Sequence, residues 1–344
     1  MNRRDLLKGL AAIPFVSGVA NARTPAPPFA KLIKPRRLKA GDTVALISPA
    51  SGLSQDQINK AVDNMTSLGL KSEIGKYAAA TNGFLAGTDA QRVEDIHWAF
   101  SDKSIDAVWC LRGGYGLSRI LPQINYSLIK ANPKALIGYS DITALHLAVH
   151  QRTGLVTFHG PVATSTLSDY TKTHAVKTLF DGAVPDKIEI SADNAANASL
   201  LYKTQVITPG KARGALIGGN LSLITALAGT PYALQNVKGK ILFTEDVGEK
   251  PYRIDRMFVQ LKQSVDLRSL AGLALGIFSD CEAPEGSQTV LDLVKDQFGS
   301  LGIPVIYGLS FGHIRDQFTL PLGIQAEMDT ASATVTILSS GVVE

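Results

Sequence analysis

From Thr43 onward, short apolar runs alternate with amphipathic stretches. "TVALISPAS" (43–51) is unbroken and of strand length, and "QDQINKAVDNMTSLGL" carries its apolar positions at helical spacing and ends at a glycine. "TDAQRVEDIHWAFSD" predicts a second helix and "IDAVWCLRGG" a second strand. "KALIGYS", "DITALHLAVHQRTG" and "GLVTFHGP" continue as strand, helix and strand. Strands apolar on both faces, alternating with helices, predict an α/β fold with a parallel sheet and helical crossovers.

The periodicity lapses in "DGAVPDKIEISADNAANAS" (181–199), where small polar residues accumulate. A domain boundary is expected there, with an N-terminal α/β domain over 39–182, a linker over 183–200 and a C-terminal domain over 201–344. In the second half "GKILFTEDV" and "GLALGIF" read as strands, and Ile254, Met257, Phe258 and Leu261 form a helical stripe between them. "PVIYGLSFGH" and "ATVTIL" read as later strands.

The 344 residues are 45% hydrophobic and 19% charged, the balance of a chain that buries substantial cores. Residues 1–22, "MNRRDLLKGLAAIPFVSGVANA", read as a twin-arginine export signal: a paired-arginine start, a short apolar stretch and a small-residue cleavage site. The Pro-rich stretch 23–38 is expected to be extended and poorly ordered. Removing 1–22 takes away Arg3, Arg4, Lys8 and Asp5, so the net charge falls from +4 to +2. That charge, without Lys/Arg clusters, argues against nucleic acid or a membrane surface as partner. No other segment has the apolar length of a membrane span, and no cysteine precedes Cys110 to carry a lipid, so a soluble periplasmic protein is expected. Cys110 and Cys281 lie far apart at the ends of apolar runs, which favours two buried free thiols over a disulfide or a metal pair. No metal or other cofactor is called for.

Three apolar runs end in reactive residues. "ALIGYSDITALH" puts Ser140 where a strand gives way to a helix, a position suited to an exposed nucleophile and equally to an N-cap. "GYSD" lacks the second glycine of the common G-x-S-x-G turn. "GKILFTEDVGEKPYRIDRMF" ends its strand with Glu245 and Asp246, and "YGLSFGHI" sets His313 in a glycine-flanked loop. Ligands bind at the carboxyl ends of parallel strands, so the three can converge. A serine hydroxyl needs a base to take its proton, and an imidazole needs a carboxylate to hold its tautomer. "CLRGGYGLSRIL" adds another strand end, where the amide of Gly113 or Gly114 can join that of Asp141 as an oxyanion hole. A phosphate cradle is the weaker reading, since neither glycine-rich nucleotide motif occurs at a strand-to-helix junction. Arg112 and Tyr115 are candidates for binding a substrate carboxylate, with a structural role as the alternative. His146 and His150 have metal-like spacing on one helix, but without a third ligand they read as packing residues.

"RGGYG", "IGYSDITALH", "HGP", "GGNLSLI", "EDVGEKPYRIDRM" and "FGH", in that order from about Leu38 onward, resemble the LD-carboxypeptidase family of serine peptidases, the muramoyltetrapeptide carboxypeptidases with their microcin-immunity relatives. The resemblance implies a Ser-His-Glu triad on Ser140, His313 and Glu245; Asp246 and Glu249 then read as helix-start charges, and His159 of "FHGP", though part of a family motif, reads as shaping the pocket wall. It also implies a smaller β-rich C-terminal domain, a site between the domains and a homodimer. The implied reaction is release of terminal D-alanine from a murein tetrapeptide, without a cofactor. Hydrolysis of aminoacyl-nucleotide antibiotics by the same triad is the alternative, and a periplasmic binding protein is the non-enzymatic one. The export signal departs from the family's cytosolic recycling members.

Overall fold

The computed structural model describes residues 31–344. The expected export signal and the first part of the Pro-rich stretch lie outside the described residues. Strands β1 (Thr43–Ile47), β2 (Lys71–Ile74), β3 (Ala107–Cys110), β4 (Ala135–Gly138) and β5 (Phe158–His159) pair in parallel in the order β2-β1-β3-β4-β5. β3 and β4 are buried along their whole length, as their unbroken apolar runs require. The crossover helices start where the sequence supplies caps. Ser54 with Gln57 and Thr88 with Gln91 form capping boxes for the helices Gln55–Ser67 and Asp89–Ser101. The chain runs outward from β1 to β2 and then returns to β3, so the loops after β1 and β3 flank the point where the strand order reverses. Crevices at such points bind ligands.

The second half contributes β6 (Asp186–Ile188), β7 (Gln205–Thr208), β8 (Lys211–Asn220), β9 (Ile241–Glu245), β10 (Gly272–Gly276), β11 (Val305–Leu309), β12 (Leu320–Pro321), β13 (Gln325–Asp329) and β14 (Thr334–Ile337). All but β12 form one sheet in the order β6-β14-β13-β8-β9-β10-β11-β7. Among the described residues it has eight strands against six in the first sheet, so by strand number the second sheet is the larger. Its centre, β8-β9-β10-β11, is parallel, and its flanks are antiparallel. The carboxyl ends of four parallel strands therefore share one edge, where β8 ends at Asn220, β9 at Glu245 and β11 just before His313.

Two segments differ from their expected character. Residues 31–38 are docked rather than loose: Ile33 bridges Leu155, Arg36 bridges Val343, and Leu38 is buried. The backbone bonds Ile33 N–H to Gly154 O and Val156 N–H to Ile33 O explain why an extended, Pro-rich stretch orders here. The expected linker 183–200 carries β6 and the helix Ala192–Ala196, and its small polar residues are used as caps and anchors. Ser191 N–H and the Asn194 side chain both donate to Ser310 Oγ, and Asn194 also donates to the Asp316 carbonyl, which ties this segment to the loop that bears His313. Finally, β12 leaves the second half to pair antiparallel with β5, Leu320 opposite His159, so the last strand of the first sheet comes from far along the chain.

Candidate active site

Ser140 follows β4 in the left-handed region, with φ 64°, a conformation that costs a non-glycine residue on the order of 1–3 kcal/mol. Strain of this kind lifts a side chain clear of the sheet, and Ser140 remains partly exposed while β4 behind it is fully buried. The turn is braced from below. His146, one turn into the helix Ile142–Thr153, places Nε2 2.8 Å from the carbonyl oxygen of Gly138, and Asp141 Oδ2 accepts 2.9 Å from Leu117 N–H. His150 similarly engages the Leu155 carbonyl through Nδ1. Both helix histidines are therefore tied to backbone, as packing residues would be.

Gly113 lies against the serine. A Cβ on Gly113 would sit 2.8 Å from Ser140 Cβ, 3.0 Å from Ser140 Oγ and 3.2 Å from the Asp141 nitrogen. Only a glycine lets this backbone come so close. Gly114 instead faces Ser51, whose Oγ accepts 3.1 Å from Tyr115 N–H, while Ser51 N–H donates to the Gly113 carbonyl. Of the two glycines, Gly113 is the neighbour of Ser140 and Asp141. The loop is pinned beneath by the buried Arg92, which donates to the carbonyls of Pro49 and Gly116. Arg112 donates to the Gly52 carbonyl at 3.2 Å, and Tyr115 is exposed, edge-on to the more exposed Phe84 at 5.3 Å.

From the second sheet come the acid and the imidazole. His313 Nδ1 lies 2.7 Å from Glu245 Oε2; the carboxylate is fully buried and the His313 side chain is 16% exposed. The His313 ring packs on Tyr139, the residue before Ser140, with ring centroids 4.7 Å apart. Among the described residues the Ser140 hydroxyl makes no hydrogen bond to His313, whose ring touches the preceding residue, Tyr139; catalytic hydrogen bonds of this kind commonly tighten only when substrate binds. The histidine loop is held from several sides. Ser279 Oγ donates to the His313 carbonyl, Phe311 O accepts from Ile277 N–H, and Thr171 Oγ1 donates to the Arg315 carbonyl.

Burial alone would push the Glu245 carboxyl up, but the His313 charge and hydrogen bond, with smaller help from His159 and Asn220, hold it below the usual range. His313 is the mirror case: burial lowers it, while the Glu245 charge and hydrogen bond, then Asp246 and Asp280, raise it. Asp246 points to other partners, accepting from Ser222 N–H, Ser222 Oγ, Asn220 Nδ2 and Val247 N–H, and burial lifts it to about 6. Glu249 pairs with Arg253 at 3.5 Å. Of the three neighbouring acids, Glu245 is the one that meets His313. His159 is buried between Tyr139 and Phe243, and burial pushes it down to about 4, which keeps it neutral. Cys110 and Cys281 are both free and buried.

Residues 44–160 match the N-terminal domain of the LD-carboxypeptidases and residues 213–328 their C-terminal domain. The chain belongs to the LD-carboxypeptidase family. It is thus a serine-type carboxypeptidase by family, which sets aside a non-enzymatic binding protein. Among its relatives is a probable murein peptide carboxypeptidase of Bacillus subtilis, 39% identical over 92% of this chain and 97% of that one. The murein tetrapeptide carboxypeptidase of Pseudomonas aeruginosa is 36% identical over 83% and 92%. The solved structure of the microcin C7 self-immunity protein MccF superimposes with a TM-score of 0.81, at 25% identity over 90% of this chain and all of that one.

Asn220, next to this candidate site, is not among the residues that the sequence singles out. Asn220 ends β8 as the register partner of Glu245, and its side-chain amide reaches Glu245 Oε1 at 3.4 Å and Asp246 Oδ1 at 3.1 Å. Its signal was available in "GGNLSLI", where an asparagine precedes a short helix and reads as an N-cap. Its second role depends on a strand pairing that no local pattern announces.

Proposed function

We propose that this enzyme releases terminal D-alanine from a murein tetrapeptide, cutting the amide that follows the L-configured centre of the diamino acid. The carrying observation is the pairing of the buried Glu245 with His313, whose ring packs on Tyr139, the residue before the strained Ser140. His313 takes the Ser140 proton as Oγ attacks the scissile carbonyl carbon, and the C=O electron pair moves onto oxygen. The amides of Gly113 and Asp141 stabilise that oxyanion, a contribution of order 10²–10³ in rate per donor in enzymes of this kind. His313 then gives its proton to the leaving D-alanine nitrogen, leaving an acyl-serine. Water, deprotonated by His313, hydrolyses this ester. Glu245 stays ionised throughout, holding the imidazole tautomer and stabilising its charged form. Arg112 and Tyr115, at the mouth of the same loop, are assigned to the substrate's carboxylate side. The murein-directed names of the two bacterial relatives support this substrate class.

The test is D-alanine release from UDP-MurNAc-tetrapeptide or free tetrapeptide. Wild type turns over and folded Ser140→Ala does not; full turnover by Ser140→Ala would overturn the assignment. The likeness to MccF favours one second reading, hydrolysis of an aminoacyl-nucleotide by the same triad. Side-by-side rates on the two substrate classes separate them. The paired arginines of 1–22 support action in the periplasm after twin-arginine export, and we assign the enzyme a homodimeric state without a stable membrane anchor. Fractionation of cells carrying an Arg3→Lys/Arg4→Lys chain, and light scattering of the mature protein, test these points.

A further inference from the structure

Catalysis in this site requires two pieces of chain from different sheets to keep register: the turn after β4 that carries Ser140, and the ends of β9 and β11 that lead to Glu245 and His313. A fourth strand end, that of β8, joins them. Asn220 donates through its side chain to Glu245 Oε1 and Asp246 Oδ1, and its side-chain oxygen accepts from Leu223 N–H to cap the helix Leu221–Ala226. Its backbone N–H donates 2.9 Å to Thr143 Oγ1, and Thr143 N–H donates 2.9 Å to the Ser140 carbonyl. Asn220 and Thr143 are both buried. The approach is close by design of the sequence: a Cβ on Gly219 would lie 2.5 Å from both Thr143 Oγ1 and Thr143 Cγ2, and Gly219 has φ 141°. Glycine is what permits β8 to touch the nucleophile's helix.

We propose that Asn220 and Thr143 are positioning residues that lock the Ser140 turn to the Glu245–His313 pair. The inference rests on the assignment of those three residues as the catalytic groups. A continuous chain of hydrogen bonds runs from the Ser140 carbonyl through Thr143 and Asn220 to the Glu245 oxygen that does not face His313. Glu245 Oε1 is thereby occupied by an amide donor, which fixes the carboxylate plane and leaves Oε2 for the imidazole. Neither residue belongs to the loops assigned to substrate. Their loss should therefore change the rate of the chemical step and leave substrate affinity alone.

The experiment compares full-length Thr143→Val, Thr143→Ser, Asn220→Ala and Ser140→Ala with wild type, by D-alanine release and by circular dichroism. Misplacement of about 1 Å costs on the order of 10²-fold in rate. Thr143→Val and Asn220→Ala are accordingly expected to lose roughly 10- to 100-fold in kcat with KM within about twofold of wild type. Thr143→Ser, which keeps the acceptor oxygen, recovers to within about threefold. A loss carried by KM, or folded Thr143→Val turning over like wild type, overturns the inference. Should Asn220→Ala fail to fold, the valine and serine variants at Thr143 decide it. Turnover by Ser140→Ala marks failure of the triad assignment instead, because the Thr143 variants then have no serine to position.

Discussion

Glu245 Oε2 and His313 Nδ1 are 2.7 Å apart, yet they come from different strand ends, and only the imidazole side of the pair reaches solvent. Burial opposes charge on both, and their mutual attraction prevails, so the carboxylate is held low and the imidazole high. In the proposed mechanism a neutral His313 accepts the serine proton. The acidic limb of kcat/KM is therefore expected above the ordinary histidine value of about 6.5. In Glu245→Gln the attraction is gone, the limb moves down in pH, and kcat falls by on the order of 10⁴. A limb that stays in place would show that His313 is not the titrating base.

Stability should follow the same two groups with opposite signs. A raised histidine stabilises the fold fully below its unfolded pKa and loses that effect as pH rises through its folded value. A depressed carboxyl stabilises above its unfolded pKa and loses the effect as pH falls through its folded value. Together they stabilise most between about 4.3 and 6.5. Urea unfolding at about pH 5.5 and pH 8.5 should show a larger wild-type advantage over Glu245→Gln at the lower pH. A gap that is equal or larger at the higher pH contradicts this account.

Ser140→Gly should be inactive and more stable than wild type. Relief of the positive φ is worth about 1–3 kcal/mol, offset by about 0.5–1 kcal/mol of added chain entropy, for a net gain of about 1 kcal/mol. Chemical denaturation measures it, and a glycine variant weaker than wild type would mean the turn is not strained.

Gly113→Ala forces a methyl group to within 3.0 Å of both Ser140 side-chain heavy atoms. The serine or its loop must shift, with an expected loss of about 10² to 10³ in kcat/KM. Wild-type kinetics from a folded Gly113→Ala enzyme would show that the close approach has no catalytic role.

Arg92 is 1% exposed and supplies the donors for the Pro49 and Gly116 carbonyls. Arg92→Met leaves those acceptors without their donors, while Asp89 keeps Arg119 as a partner. A loss of about 2–3 kcal/mol in unfolding free energy is expected, read from the urea midpoint at constant slope. An unchanged midpoint would show that Arg92 is not what holds the two loops together.

Much of the site was readable before folding because parallel strands buried on both faces are unbroken apolar runs, and reactive residues stand out where such runs stop. β1, β3, β4, β9, β10 and β11 and the positions of Ser140, Glu245 and His313 are all of this kind. β2 escaped because it is a sheet edge with mostly exposed polar residues, "KSEI". β8 escaped because three of its ten residues are glycine, which reads as a loop until one sees the helix pressed against it.

By itself the sequence determined the local elements, their buried faces and the chemical types at the strand ends, since these depend on periodicity and on residues close together in the chain. Only the tertiary structure decided which acid faces His313, which glycine touches Ser140, that β12 returns to the first sheet, and that Asn220 ties Thr143 to Glu245. These are contacts between segments tens to more than a hundred residues apart. They are selected jointly, by sheet register, close packing and the need to satisfy every buried polar group, and no local stretch of the chain encodes that joint solution.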